Sequence, residues 1–355
     1  MNNKVLVGMS GGVDSSVAAA LLMDSGYTVS GVTLRLVSEE PQDPTARVCC
    51  SLSEVESARS VCDRLGLRHY VFNFTELFEQ CVVEKFVQSY LNGQTPNPCI
   101  DCNRYIKFKE MLNRATLLEM DHIATGHYAR VQKSGGRYLL QKAADGSKDQ
   151  TYVLYSLTQQ QLAHTLFPLG GLTKKQVRQI AAEKGFQNAQ KPDSQDICFV
   201  PDGDYAAFIE RRLGHPYPQG DFVDEAGRVI GRHRGAIRYT IGQRRGLGMG
   251  FGKHMYVLQK NTAENRVTLG EENGLFKTRV LVRDFNPIAV ERLTAPVQCT
   301  GKLRYSQREA ACTLHPVDET TVLAEFSEPQ RAVTAGQAAV FYSAETVLGG
   351  GTITG

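Results

Sequence analysis

The sequence predicts an α/β protein in three parts: a parallel-sheet domain over residues 1–201, a small central domain over 202–274 and an antiparallel β-barrel over 275–355. Three observations predict it. Up to about residue 200, apolar β-branched runs alternate with amphipathic stretches, the signature of a parallel sheet covered by helices. After Pro201 that alternation stops, and Gly-rich, Arg-rich sequence follows one short helix. From about residue 277 short strand-like segments recur at regular spacing, as in a closed antiparallel sheet.

In chain order, the expected strands of the first part are Lys4–Met9, Thr28–Leu34, Arg68–Asn73 and His122–Gly126. Between them Asp14–Ser25, Ser53–Leu65, Glu76–Leu91 and Ile106–Glu119 read as helices, several ending at a glycine suited to the left-handed residue after a helix. A hairpin turning at Ser134–Gly136 interrupts the alternation. The central part carries a helix over Tyr205–Leu213 and strands around Met255–Gln259 and Arg266–Leu269. The last part reads as strands over Arg279–Val282, Val297–Leu303, Ala311–His315, Thr321–Glu325, Ala338–Tyr342 and Thr346–Leu348.

A chain of 355 residues has room for two or three domains at ~100–200 residues each. No long uncharged apolar run occurs, so no membrane span is expected and a cytoplasmic protein is. Nine cysteines in a reducing compartment read as fillers, ligands or reactive thiols rather than structural disulfides. A net charge of +3 is too small to indicate nucleic acid by itself. Its distribution is more telling: between Ala226 and Ala263 there is no Asp or Glu, while Arg228, Arg232, Arg234, Arg238, Arg244, Arg245, Lys253 and Lys260 all fall there. Such a stretch suits phosphate contacts. Tyr239, Phe251 and Tyr256 within it read either as core or as stacking platforms for bases.

The stretch Gly8-Met9-Ser10-Gly11-Gly12-Val13-Asp14-Ser15-Ser16 joins the first strand to the first helix, where an open α/β sheet binds its ligands. Small residues let backbone N–H groups approach an anion, and the helix terminus adds unpaired donors. The Lys of a GxxxxGK[ST] loop is missing and an acid stands in the turn. Asp14 therefore reads as a Mg²⁺ ligand, direct or through water, with Ser10, Ser15 and Ser16 as hydroxyl donors to a pyrophosphate. The plain alternative is a glycine turn with Asp14 capping the helix.

Two further segments carry thiols in polar loops: Thr95-Pro96-Asn97-Pro98-Cys99-Ile100-Asp101-Cys102-Asn103 and Lys191-Pro192-Asp193-Ser194-Gln195-Asp196-Ile197-Cys198-Phe199. A thiolate is the strongest nucleophile a protein offers near neutral pH. Cys62, Cys81, Cys299 and Cys312 read instead as small buried apolar groups.

Taken together, SGGVDSS, TPNPC-x-x-CN-x-x-IKF, ATGHYAR at Ala124–Arg130, KDQTYVLY at Lys148–Tyr155, DSQDICFV and YTIGQRRGLGMG at Tyr239–Gly250 resemble the bacterial tRNA-specific 2-thiouridylases, in one order over nearly the whole chain. The first string resembles the PP-loop of the ATP pyrophosphatases, which cleave ATP between the α and β phosphates and leave AMP on a carbonyl oxygen. The 2-thiouridylase family replaces the 2-oxygen of a wobble uridine with sulfur. The resemblance implies ATP and Mg²⁺, a tRNA with a wobble uridine as partner, and a sulfur-relay protein or cysteine desulfurase as donor. It implies Cys102 as nucleophile and Cys198 as persulfide carrier, joined transiently by a disulfide after sulfur release. Gly8, Met9, Ser10, Gly11, Gly12, Val13, Asp14 and Ser15 would hold ATP, with Leu34 and Gly126 beside the adenosine. Asn97, Pro98 and Cys99 would face the target base, and His127, Lys148, Asp149, Gln150, Arg304, Tyr305 and Gln337 would touch tRNA. Many members have Asp where this chain has Cys99, and that Asp is assigned acid–base help for the nucleophile. With Cys99 present, Cys99, Cys102 and Cys198 could instead hold zinc or a [4Fe–4S] cluster.

Overall fold

The structure, a computed structural model, describes residues 3–37, 52–192, 197–250 and 252–354. Residues 193–196 of the second thiol segment and Phe251 lie outside the described residues.

Chain alternation in the first part produces a five-stranded parallel sheet. Its strands are β1 (Lys4–Gly8), β2 (Thr28–Arg35), β3 (Arg68–Asn73) and β4 (His122–Ala124), then, after the hairpin β5 (Arg130–Ser134) and β6 (Arg137–Gln141), β7 (Thr165–Leu166). Their spatial order is β3-β2-β1-β4-β7. Val5, Leu6 and Val7 of β1 are fully buried, because helices cover both faces of the sheet. The order reverses at β1, which pairs with β2 on one side and β4 on the other. The crevice at that reversal lies beyond the carboxyl end of β1, where the glycine turn begins.

Two helical segments differ from expectation. Glu76–Leu91 is realised as Thr75–Phe78, a π-helical stretch Glu79–Val83 and Glu84–Leu91. The helix expected from Ile106 begins at Pro98: Pro98–Asp101, π-helical Cys102–Glu110 and Met111–Leu117 run on without a break. Pro98 sits in the first turn and the Asn97 side chain caps it, accepting from the Cys99 N–H at 3.1 Å. Cys99 and Cys102 therefore stand on the start of a helix, not in a loop. A further helix, Lys174–Glu183, lies outside the expected elements and starts at a capping box formed by Thr173 and Gln176.

The central part is a four-stranded sheet, β8 (Gly220–Val223), β9 (Val229–His233), β10 (Tyr256–Asn261) and β11 (Arg266–Gly270), ordered β10-β11-β8-β9. Tyr239 and Tyr256 are buried in or beside its core with Phe222, Val257 and Leu269, so they are not stacking platforms.

The last part closes on itself. Strands β12 (Phe276–Pro287), β13 (Val297–Lys302), β14 (Ala310–Pro316), β15 (Val322–Arg331), β16 (Ala338–Ser343) and β17 (Thr346–Thr354) run in the order β12-β15-β14-β13-β16-β17, and β17 pairs back onto β12. Closure removes the open sheet edges. Strand β6 adds to β17 at Thr346 and Gln141, so the hairpin that interrupted the first pattern is where the two domains dock. The Tyr152 hydroxyl donates to Ala338 O at 2.9 Å, and Lys142 pairs with Glu309 at 2.6 Å across the same seam. No helix among the described residues is long and apolar enough to cross a membrane.

Candidate active site

The glycine turn ends on a helix, Val13–Asp24, whose N-cap is Gly12. Asp14 is thus inside the first turn rather than capping it. The first intrahelical bond is Ser16 N–H to Gly12 O at 3.4 Å, which leaves the N–H groups of Val13, Asp14 and Ser15 ahead of the ladder and available to an anion. Gly11 has φ +71°, and a Cβ there would collide with the Glu54 backbone. Gly126 lies against the backbone of Asp14 and Ser15, with space for no Cβ, so the end of β4 forms one wall of the turn.

The serines divide. The Ser10 hydroxyl is exposed and lies 3.3 Å from that of Ser15, which is itself buried, accepts the Ser10 N–H and donates to Gly12 O at 3.0 Å. Ser16 is fully buried; its hydroxyl donates to Gly12 O and accepts from Asn188 Nδ2, both at 3.0 Å. Ser16 holds the loop together, and its expected role as a phosphate donor is corrected. Met9 and Val13 are likewise buried and anchor the turn, and Leu34 is buried at the end of β2.

The missing lysine arrives from elsewhere. Lys174, at the start of its own helix, places Nζ 2.8 Å from both Asp14 carboxylate oxygens. The Tyr128 hydroxyl donates to Asp14 Oδ1 at 2.8 Å. A lone carboxylate fits Mg²⁺ when the ion arrives with phosphate oxygens completing its shell, and here it would first have to be released by Lys174. Among the described residues no three His, Cys, Asp or Glu side chains are gathered to hold a metal, Cys99, Cys102 and Cys198 included.

Cys102 opens the π-helical stretch and is buried within the main apolar cluster, against which the half-buried Cys198 also packs. Cys99, one turn earlier, is exposed. A thiol near a helix N-terminus sits at the positive end of the backbone dipoles, and π-helical turns recur at functional sites. Beside Cys102, Asp101 is buried and bonded to Lys85 at 2.6 Å; burial raises its pKa while Lys85 opposes the shift. By contrast Cys62 is buried under the sheet, and burial pushes its thiol up to about 11.

Of the residues expected to face RNA, Tyr305 lies near Cys99, Asp149 and Lys148, and Gln337 meets the segment leading to Cys99. Gln337 Nε2 donates to Thr95 O at 2.7 Å, and Thr95 N–H to Ala335 O at 2.9 Å, seating the barrel on the segment that leads to Asn97 and Pro98. The Tyr305 hydroxyl reaches Asp149 O at 3.4 Å, and its ring meets Tyr152 edge-on at 5.9 Å. Burial raises the Tyr305 pKa, Asp149 and Cys99 nearby add to the rise, and Lys148 opposes it. Asp149 is committed to the Ala143 N–H and the Thr151 hydroxyl, Gln150 to the Tyr128 N–H, and Arg304 to Arg331 O. His127 follows Gly126, with Nδ1 2.7 Å from the Thr125 hydroxyl and its ring between Phe108 and Phe167. Burial, and then Lys107, hold its pKa well below the usual histidine range.

The cationic stretch is less free than its sequence suggests. Arg228 pairs with Asp224, Arg232 with Asp221, Arg238 with Glu210 and Lys253 with Glu271, all acids outside the acid-free window. Lys260 Nζ is buried without a hydrogen-bond partner, and burial lowers its pKa to about 8. Among the described residues, the exposed cations of the stretch without an acidic partner are Arg234, Arg244 and Arg245.

A parallel sheet with an anion-binding turn at its reversal, followed by two β domains, defines a three-part α/β enzyme class. Residues 3–202 match the family model described as tRNA methyl transferase HUP domain, 206–271 its PRC-barrel domain, and 277–353 the aminomethyltransferase β-barrel domain. The chain is 47% identical over 354 residues to the tRNA-specific 2-thiouridylase MnmA of Clostridium acetobutylicum, covering 99% of this chain and 100% of that one. It is 48% identical to that of Clostridioides difficile (99% and 98% covered) and 49% to that of Acetivibrio thermocellus (99% of each). The chain belongs to the tRNA-specific 2-thiouridylase family. Among solved structures, a 4-thiouridine synthetase in complex with RNA and ATP aligns at TM-score 0.37 and 18% identity over 60% of this chain and 50% of that one.

Proposed function

We propose that this protein is a cytoplasmic tRNA 2-thiouridylase that activates the C2 oxygen of a wobble uridine with ATP and replaces it with sulfur from a cysteine persulfide. The observation that carries this reading is one α/β domain bearing both an anion-binding turn and a helix-borne thiol, Cys102, in the same apolar cluster as Cys198.

ATP lies along residues Gly8 to Ser15, with Leu34 and Gly126 beside the adenosine. The uridine C2 oxygen attacks the α-phosphorus, a bond to AMP forms, and the α–β bond breaks. Pyrophosphate leaves against the N–H groups of Val13, Asp14 and Ser15, and Lys174 neutralises it as it exchanges Asp14 for phosphate oxygens. Mg²⁺, held by Asp14 and the phosphates, would supply further charge neutralisation.

Cys198 receives sulfane sulfur from a relay protein or desulfurase. The Cys102 thiolate attacks the inner sulfur of the Cys198 persulfide, forming the Cys102–Cys198 disulfide and releasing hydrosulfide. Hydrosulfide adds at C2 and AMP departs, leaving the C2–sulfur double bond; an external thiol then reduces the disulfide. Asn97, Pro98 and Cys99 face the base, which must leave its stack to reach a buried thiol. Lys148, Asp149, Gln150, His127, Arg304, Tyr305 and Gln337 shape the cleft that receives the anticodon loop.

Replacing Cys198→Ser separates the half-reactions. Pyrophosphate release from ATP in the presence of tRNA should persist, and sulfur incorporation should fall to background. Wild-type thiolation by this variant, or donor sulfur recovered only on Cys49 or Cys50, would redirect the mechanism.

A further inference from the structure

We propose that Cys299 and Cys312 form a second, independent dithiol site that hydroperoxides convert to a cross-strand disulfide, locking the base of the hairpin that presents Arg304 and Tyr305. The two residues lie directly opposite each other in the β13–β14 ladder, with sulfurs 3.5 Å apart. Directly opposed residues in an antiparallel pair have Cα atoms about 4.5–5.5 Å apart, within the roughly 4.4–6.8 Å that a disulfide spans. Formation therefore needs the sulfurs to turn toward each other and no change of register. The two thiols also have different exposure. Cys299 is half-buried and reachable, whereas Cys312 is 4% exposed within the barrel core. The hydrogen bond to Cys299, and then burial, keep Cys312 protonated. Cys299 is thus the thiol that meets an oxidant and Cys312 the one that resolves the product.

The chemistry balances in two steps. Cys299 sulfur attacks the peroxide, the O–O bond breaks, Cys299 becomes a sulfenic acid and an alcohol or water leaves. Cys312 sulfur then attacks the sulfenic sulfur, water leaves, and the S–S bond forms. Two thiols lose two electrons to one peroxide. The hairpin loop between them, residues 303–309, is tied by Thr300 to Glu309 at 2.6 Å and by Gln307 to the Leu303 N–H and Gln330. A covalent link at its base restricts the same loop further. The disulfide does not depend on the RNA role proposed for Arg304 and Tyr305; only its consequence for RNA does.

The full chain treated with hydrogen peroxide, digested without reduction and mapped by mass spectrometry should yield a Cys299–Cys312 linked peptide. Its melting temperature should rise by roughly 5 °C, amide exchange across residues 303–309 should slow, and dithiothreitol should reverse both. Cys299→Ser, which removes the thiol at a half-buried position, should show none of these responses. Over-oxidised Cys299 with no link to Cys312 would overturn the site. A link that leaves exchange at 303–309 unchanged would overturn the lock.

Discussion

The glycine turn at residues 8–16 and the cationic stretch at 226–263 both read as anion-binding sequences, and folding edits them in opposite ways. The turn carries one acid, Asp14, and the fold neutralises it with Lys174 from 160 positions along the chain. The stretch carries eight cations, and the fold neutralises Arg228, Arg232, Arg238 and Lys253 with Asp224, Asp221, Glu210 and Glu271. Anion affinity follows the charge left unpaired after folding, not the charge counted within a window. The turn gains from this editing because backbone donors have no counter-charge to lose. The stretch is reduced to a small exposed set centred on Arg234, Arg244 and Arg245.

The largest effect that can break this contrast is at Lys174. If it serves the leaving pyrophosphate, Lys174→Ala lowers the rate of tRNA-dependent pyrophosphate release by about 10²–10³. Asp14→Ala should cost a similar factor, and the double variant should cost far less than the product of the two, because the residues act through one ion pair. The Asp14 side chain is about a third exposed, so it can hydrate when Lys174 is removed, and the melting curve should hardly move. A loss below about threefold would make the pair structural and leave the turn with its backbone alone.

The middle-sized effect tests the other region. Neutralising Arg244 and Arg245 to Gln should weaken tRNA binding about tenfold at moderate salt and flatten the log–log salt dependence by roughly 1.4–1.8, two phosphate contacts' worth. Arg228→Gln with Arg232→Gln should change affinity less than about twofold, since those side chains exchange one exposed partner for another. Equal losses from both double variants would show that phosphates displace the internal acids, and the distinction drawn between free and paired cations would fall.

What could be read in advance follows the same division. The turn is readable because its chemistry is local: seven consecutive residues between a strand and a helix specify it. The ion pair to Lys174 is not, because no local pattern encodes a contact between distant segments; the sequence does carry the Thr173–Gln176 capping box that starts the helix bearing Lys174. Asn97-Pro98 is likewise a helix-start signal, but two prolines in four residues equally suit a loop, and only packing decides that Cys99 and Cys102 lie on the helix. Strands β8 and β9 escaped because they are short and partly exposed, with Asp221 and Arg232 inside them pairing across the ladder instead of alternating with apolar residues.

A smaller effect shows where the two regions are alike. Each holds a histidine kept neutral by burial: His127 beside the turn and His233 in the central core, where His233 Nδ1 accepts the Gly235 N–H at 3.0 Å and Nε2 is buried without a partner. Both have pKa values below the ordinary one, about 6.5 in an unfolded chain. Between those values the unfolded state binds more protons than the folded state, so stability rises with pH. The stabilisation is complete above about pH 6.5 and is lost as pH falls through the depressed folded-state values. Urea midpoints should therefore stay level from pH 7.5 to about pH 6.5 and decline from there to pH 5. His233→Asn keeps an acceptor for the Gly235 amide and removes the titrating ring, so it should flatten that decline even if it lowers stability at every pH. An unchanged slope would mean that His233 gains its proton in the folded protein. The burial that makes the central core resemble the catalytic one would then be too loose to exclude a charge.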